Sequence, residues 1–307
     1  MESSRRISRR RVLQAAAAGL LGGAGASSLY ALRIEPHWIK VHHQDLPMVG
    51  LPARLVGKIL VHLSDLHVGP VVDSNYLSAA LELVESLGPD LTVITGDFMH
   101  CTGTERVAEV SRLFQNFDPG PLGCLAVLGN HDYGKGWVDT EAADRLCQTL
   151  ERQGVNVLRD ASTEVAGLQV IGLEDLWGPR FHPETFLRSV DWDRPTLALC
   201  HNPDAVDLPI WEGFRGWTLS GHTHGGQCKP PFLPPPILPV KNKRYTRGAF
   251  DLAEGRSLYV NPGLGYLKRV RFNVRPEVTA FRLTTPEGTE KLSRRFHFSR
   301  DPARLSL

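Results

Sequence analysis

From residue 55 onward, apolar positions come in short unbroken runs, and each run stops at a polar motif. Lys58-Ile59-Leu60-Val61-His62-Leu63 leads into Ser64-Asp65-Leu66-His67, and Asp90-Leu91-Thr92-Val93-Ile94 leads into Thr95-Gly96-Asp97. Cys124-Leu125-Ala126-Val127-Leu128 leads into Gly129-Asn130-His131-Asp132. Thr196-Leu197-Ala198-Leu199-Cys200 precedes His201-Asn202-Pro203, and Trp217-Thr218-Leu219-Ser220 precedes Gly221-His222-Thr223-His224. Near-continuous apolar runs of this length read as buried strands. Between the first three runs the period changes. Residues 74–87 place Leu77, Ala80, Leu81, Val84 and Leu87 on one helical stripe, with Asp73 or Ser74 as N-cap and Gly88-Pro89 as the stop. Residues 104–117 and 139–153 read the same way.

This alternation predicts a layered α/β fold. After Val155 the chain turns to short strands, among them 168–171, 257–260 and 278–283, which predict a second sheet packed on the first with helices outside. The polar motifs then sit at the carboxyl ends of strands, the edge where open α/β sheets bind ligands. Residues 229–247 differ. Pro230, Pro231, Pro234, Pro235, Pro236 and Pro239 preclude a helix or a central strand. With Phe232, Leu233, Ile237 and Leu238 among them, the segment reads as a stiff loop with an apolar tip.

The N-terminus does not read as part of this fold. Ser8-Arg9-Arg10-Arg11-Val12-Leu13 precedes a mildly apolar stretch of alanine, glycine and leucine, residues 15–26. A basic start, an apolar segment and Ala24-Gly25-Ala26 describe an export signal cleaved before Ser27. The arginine pair resembles the twin-arginine signal, which implies the twin-arginine translocation machinery as a partner and a periplasmic or envelope location. An uncleaved anchor is the other reading, but the apolar stretch is short for a span of roughly twenty residues. The layout expected is a leader over 1–26, a linker over 27–54, the folded domain over 55–285 and a tail over 286–307.

Composition adds exclusions. At 307 residues, 42% hydrophobic and 22% charged, the chain is neither globally disordered nor a multi-span membrane protein. The net charge of +2 owes much to the leader, whose 26 residues hold five arginines and one glutamate. The nearly neutral body gives no case for nucleic-acid binding. Five cysteines without a CxxC pair give no disulfide framework and no zinc-knuckle pattern. They read as core or near-core thiols, Cys200 and Cys228 close to the motifs. Residues 241–275 hold nine Lys/Arg against Asp251 and Glu254. This stretch is either solvated surface or, through Lys241, Lys243, Arg244, Arg269 or Arg271, a contact for an anionic substrate or lipid headgroups. Beside the apolar loop, it points to membrane-surface contact through 229–247.

The motifs collect Asp65, His67, Asp97, Asn130, His131, His201, His222 and His224. Imidazoles with carboxylates suit Zn, Mn, Fe or Co, and two cations need about this many protein groups. Asp97, between the flanking motifs, is the natural bridging carboxylate. His62 reads as a satisfied core or edge histidine, and His100 lies close enough to Asp97 in sequence to approach the site.

Taken in order, Asp65-x-His67, Gly96-Asp97, Gly129-Asn130-His131-Asp132, His201 and Gly221-His222-Thr223-His224 resemble the signature of the calcineurin-like metallophosphoesterases. The tail Asn261-Pro262-Gly263-Leu264-Gly265 with Pro276-Glu277 resembles an exported bacterial branch, with relatives linked to cleavage of UDP-diacylglucosamine. The resemblance implies a four-layer αββα fold and two divalent cations. It implies that Asp65, His67, Asp97 and His224 hold one cation and Asp97, Asn130, His201 and His222 the other. His131 would face the substrate, with Asp132 positioning the loop or tuning His131. The reaction implied is attack of a metal-bridging hydroxide on a phosphodiester or monoester. A lipid-linked nucleotide sugar is the alternative substrate, and a non-catalytic metal-binding envelope protein the alternative of another class. Arg271, Lys241 and Arg244 are the candidate substrate contacts.

Overall fold

The computed structural model describes residues 9–101 and 104–287. The first eight residues of the expected leader and residues 288–307 of the expected tail lie outside the described residues.

Twelve strands form two six-stranded sheets. The first contains β1 (Lys40–Pro47), β2 (Ile59–Leu63), β3 (Leu91–Thr95), β4 (Cys124–Val127), β5 (Val155–Val157) and β12 (Glu277–Thr284), in the order β1-β12-β2-β3-β4-β5. The second contains β6 (Ala161–Val165), β7 (Leu168–Gly172), β8 (Thr196–Leu199), β9 (Gly216–Ser220), β10 (Gly248–Asp251) and β11 (Arg256–Val260), in the order β10-β11-β9-β8-β7-β6. Both sheets are mixed. β12 runs antiparallel to β2, and the edge strands β6 and β10 run antiparallel to their neighbours.

Side-chain alternation explains the layers. Leu60, Val93 and Leu125 face inward and meet Val170, Leu197, Leu199 and Leu219 of the second sheet in one apolar layer. Val61, Leu63, Ile94 and Ala126 face outward and pack under α2 (Ser74–Ser86), α3 (Val107–Phe114) and α4 (Thr140–Arg152). Ile171 and Ala198 pack on the far side with Leu187 of α5 (Glu184–Leu187), Trp211 and Phe214. The result is two mixed sheets flanked by helices. α2 is capped by Asp73, whose carboxylate accepts from the N–H of Asn75 at 2.8 Å. α4 is capped by Asp139 in the same way. The stripe expected over 104–117 is a 3-10 turn followed by α3.

Two expectations change. The strand over 278–283 does not join the second sheet. It returns to the first as β12, between β1 and β2. The segment 27–54 is no mere linker. β1 pairs in parallel with β12 along eight residues, from Lys40 opposite Glu277 to Pro47 opposite Thr284. Its polar, half-exposed sequence hides a strand, because an edge strand needs few apolar residues.

A long exposed helix, α1 (Arg9–Leu29), precedes the domain. Helical geometry continues to His37, so the run is 29 residues long, well beyond residues 15–26, and is long and apolar enough by length and composition to cross a membrane. Its lower end is fastened to the domain. The Glu35 carboxylate, fully buried, accepts from the N–H groups of Asn273 (2.8 Å) and Val274 (2.6 Å). The Arg271 N–H donates to the Ala31 carbonyl at 2.9 Å.

Glu35→Ala leaves two N–H groups without their acceptor. It should cost about 1–3 kcal/mol in urea unfolding of the full chain, whereas a change under about 0.5 kcal/mol, the usual surface value, would mean that this segment is not held by the domain.

Candidate active site

The polar motifs arrive where the strand ladders end. Hydrogen bonding continues past β2 and β3, with Asp65 N–H on Gly96 O at 3.0 Å and His67 N–H on Asp97 O at 2.9 Å. Past β8 and β9, Cys200 N–H meets Leu219 O and Gly221 N–H meets His201 O, both at 3.0 Å. The site therefore lies across the carboxyl edges of both sheets. Asp65, His67, Asp97 and Asn130 come from the first sheet, and His201, His222 and His224 from the second.

The chain must turn sharply to aim these side chains. Asp65, His67, Asp97, His222 and His224 all have positive φ, between 50° and 70°. A left-handed backbone costs a residue with a side chain roughly 1–2 kcal/mol. Five such residues at one site mean that the surrounding packing imposes the geometry. Two glycines permit the close approach. A Cβ at Gly129 would stand 2.2 Å from Oδ1 of Asp97, and one at Gly221 only 1.8 Å from Oγ of Ser64.

The donors fall into two groups that share Asp97. In the first, Nε2 of His67 and Nε2 of His224 are 3.0 Å apart. Oδ1 of Asp65 lies 3.8 Å from the former and 3.4 Å from the latter. In the second, Nε2 of His201 lies 3.2 Å from Nδ1 of His222. Oδ2 of Asp97 is 3.2 Å from Nε2 of His201 and 3.5 Å from Nε2 of His67, so one oxygen reaches both groups. All these side chains are buried, and both amide atoms of Asn130 are buried without a hydrogen-bond partner.

Tautomers in the second group test whether a cation fits. Nδ1–H of His201 donates to the Thr95 carbonyl at 2.6 Å, and Nε2–H of His222 donates to the Pro239 carbonyl at 2.8 Å. With those protons committed, the two facing nitrogens and Oδ2 of Asp97 all present lone pairs to one another. Such a cluster calls for a positive charge, and a second nitrogen fixed by a backbone carbonyl is the usual setting of a metal-bound histidine. The titration behaviour agrees. Burial alone would lower His201, yet Asp97, then Asp65 and Asp175, hold its pKa well above the ordinary value, so that a proton stands in for the cation. Burial would raise Asp97, but His201 and His131 hold it well below the ordinary range. Burial, reinforced by Asp97 and opposed by His201, pushes Asp65 up to about 7. Burial lowers His67 and His224 well below the ordinary value, and His222 to about 3. The residues present therefore fit two cations. Asp65, His67 and His224 make one group of possible metal donors, and Asp97, His201 and His222 the other.

His131 stands beside the donors. Its ring is 4.7 Å from that of His67, and its N–H donates to Oδ1 of Asp97 at 2.9 Å. Nδ1 of His131 lies 2.7 Å from Sγ of Cys101. Asp132 is engaged by backbone instead. Its fully buried carboxylate accepts from Gly129 N–H (2.9 Å) and Met99 N–H (3.0 Å), so it positions the loop and is not a reacting group. His100 approaches, its ring 5.9 Å from that of His67 and 5.7 Å from that of His131. His62 is a core residue, with Nε2 2.8 Å from Oγ1 of Thr95.

The substrate contacts expected from the basic stretch divide. Arg271 is fully buried, and its guanidinium donates to the carbonyls of Val274, Pro262, Gly263 and Gly265. It clamps the loop behind Asp65, whose carbonyl accepts from Gly265 N–H. A charge spent on four carbonyls is not offered to a substrate. Lys241 is exposed close behind Pro239, and Arg244 is exposed with Nη2 on the Asp251 carbonyl at 3.2 Å.

Several neighbours of the site escaped sequence reasoning. Cys101 carried no motif. Asp175, fully buried, follows β7 with Oδ1 accepting from Trp177 N–H at 2.8 Å, and burial raises its pKa to about 6. Trp177 packs edge-on against the His222 ring at 4.3 Å and stacks on Trp137 at 5.1 Å. A run 168–171 that ends before Glu174-Asp175 carries the same strand-then-acid pattern as the other motifs, and was the one available signal.

Comparison with known proteins agrees with this geometry. Residues 59–226 match the family model described as calcineurin-like phosphoesterase. Phosphodiesterase YaeI of Escherichia coli is 33% identical over 90% of this chain and 99% of its own length. Metallophosphoesterase YkuE of Bacillus subtilis is 30% identical over 91% of this chain and 98% of its own. UDP-2,3-diacylglucosamine pyrophosphatase LpxG of Chlamydia trachomatis is 28% identical over 83% of this chain and 92% of its own.

Asp65, raised to about 7, and His201, raised well above its ordinary value, must both give up a proton before they can hold a cation, so metal affinity should fall as pH drops through about 7. Chelator competition at about pH 8 and about pH 6, corrected for the chelator's own protonation, should show affinity weaker by about tenfold or more at the lower pH. Equal affinities would mean that neither Asp65 nor His201 releases a proton on binding, against the assigned ligand set.

Proposed function

Because this chain belongs to the calcineurin-like phosphoesterase family, we propose that it hydrolyses phosphoester bonds with two divalent cations held across the edges of its two sheets. The observation that carries this reading is the convergence of both donor groups on Oδ2 of Asp97. Asp65, His67, Asp97 and His224 would hold one cation, and Asp97, Asn130, His201 and His222 the other. Mn, Zn, Fe and Co all suit this donor set. When bound, the cations supply Lewis acidity toward the phosphoryl oxygens and activate the attacking water.

The rest of the work falls to the chain. Burial pushes the Cys101 thiol up to about 11, and its Sγ lies 2.7 Å from Nδ1 of His131, where it orients the ring. With Nδ1 engaged by the thiol, Nε2 is the ring nitrogen left to meet phosphoryl charge or the leaving oxygen. Asp97 fixes the same residue through its backbone N–H, and Asp132 holds the loop that carries both His131 and Asn130. Exposed Lys241 and Arg244, behind Pro239, are the basic side chains of the candidate set that can meet an anionic substrate. The likeness to YaeI favours a phosphodiester, while the likeness to LpxG supports the pyrophosphate of a lipid-linked nucleotide sugar as a second substrate class.

We read the location as outside the cytoplasmic membrane, reached by the twin-arginine route. The reading rests on Arg9, Arg10 and Arg11 at the start of α1, which favour retention of that end on the cytoplasmic side. The loop 229–247 would meet the membrane surface. Phe232, Leu233 and Ile237 are exposed at its tip, with Phe232 fully so. Tyr30, just after α1, shares a cleft of about 400 Å³ with Pro231, Phe232, Phe272 and Asn273. The foot of the helix and the apolar loop thus lie side by side.

Chelated leaderless protein should hydrolyse bis-p-nitrophenyl phosphate once Mn, Zn, Fe or Co is restored. His131→Ala should lose about 10²–10⁴-fold in turnover while keeping two metal equivalents; unchanged turnover would defeat the role assigned to His131. No turnover with any metal and two equivalents bound would favour a metal-binding envelope protein. The same leaderless protein should co-sediment with anionic vesicles, and Phe232→Ser with Leu233→Ser and Ile237→Ser should abolish this. Equal sedimentation of wild type and triple variant would remove the membrane contact.

A further inference from the structure

We propose that Trp137 and Trp177 form a stacking subsite for a nucleobase carried on one organic arm of the phosphoester, which deepens the phosphoesterase reading and rests on it. The two indoles come from different sheets. Trp137 lies in the loop between β4 and α4, which also carries His131, and Trp177 lies just beyond β7. Their rings stack at 5.1 Å with an interplanar angle of 22°. One end of the pair faces His131, 6.3 Å from Trp137, and the other abuts the donor histidine His222, 4.3 Å from Trp177. The pair therefore borders both the residue assigned to the phosphoryl group and the second cation group.

Core packing does not account for it. Trp177 belongs to no apolar core cluster among the described residues, and Trp137 only leans on the edge of one. Both rings are partly exposed. Trp137 has φ 62°, a conformation a bulky residue seldom adopts, so its placement is imposed by the fold at the cost of local strain. The flanking Gly134 and Gly136, at φ 65° and 73°, let the loop take this path.

The pair is also held rigid. Trp177 N–H is fixed on Asp175, and a Cβ at Gly178 would lie 3.0 Å from the Tyr133 ring, so the two loops touch. The Tyr133 hydroxyl binds Glu174, and Arg159 ties Glu174 (2.7 Å) to Asp144 (2.6 Å). Arg180 adds a second ion pair to Asp144 at 2.7 Å. A preorganised aromatic surface suits a flat ring, because stacking depends on ring faces and not on flexible fit. An acyl chain would be served instead by the separate apolar tip at Phe232, Leu233 and Ile237.

Calorimetric titration of the metal-loaded protein with AMP, UMP and ribose 5-phosphate tests this, because the three share a sugar phosphate and differ in the base. AMP should bind about tenfold or more tightly than ribose 5-phosphate, with UMP between, as expected for one stacked base. Trp177→Leu and, separately, Trp137→Leu should erase that difference, and Trp177→Phe should retain most of it, all with metal content unchanged. Equal affinity of wild type for AMP and ribose 5-phosphate, no measurable binding of AMP, or a base preference that survives both leucine variants would overturn the proposal. Loss of the phosphoesterase reading would appear elsewhere, as absence of metal-restored hydrolysis, while the base preference could still be measured.

Discussion

The carboxylate of Asp97 is the constraint on which the site depends. One oxygen accepts the N–H of His131, and the other lies between His67 of the first sheet and His201 of the second. Taking that charge out of water is expensive, and it is tolerable only because every neighbour is arranged around it. Two histidine protons are turned outward onto the carbonyls of Thr95 and Pro239, which leaves lone pairs facing inward. The fold thus builds a concentrated negative and lone-pair environment that a cation, or failing that a proton, completes. The opposed displacements of His201 and Asp97 express the same demand.

Holding that arrangement consumes backbone freedom. Five donor residues occupy left-handed conformations, and glycines stand wherever two loops must approach within contact of a carboxylate or hydroxyl. None of these turns is locally favoured, so each is stabilised from a distance. Asp132 bonds the loops after β3 and β4 together, and Arg271 gathers four carbonyls of the loop behind Asp65. A buried arginine with such a role reads in the sequence as one more member of a basic stretch, which is why it was expected at the surface.

The N-terminal part shows the same interdependence. Arg271 donates its backbone N–H to the Ala31 carbonyl, and the N–H groups two and three residues on donate to the Glu35 carboxylate. The loop that backs Asp65 is therefore also where the foot of α1 is fastened. β1 then closes the first sheet beside β12.

Much of this was legible in the order of residues. The five strands that carry the motifs, the helices α2 and α4, the cap of α2 as Asp73 or Ser74, and the lack of helix or strand over 229–247 follow from period, capping chemistry and proline. These are local properties, set by neighbours within a few residues. The donor types and their order also sufficed to point to a family with two cations. Tertiary structure alone decided the rest. A half-polar edge strand such as β1 is stabilised by its partner β12, some 237 residues away, and shows no pattern of its own. The return of β12 to the first sheet, the burial of Arg271, the contact of Cys101 with His131 and the stacking of Trp137 on Trp177 all join segments distant in sequence. Periodicity carries no information about which distant surfaces meet, because that is determined by packing two sheets face to face and by the buried charge at Asp97 that they must jointly enclose.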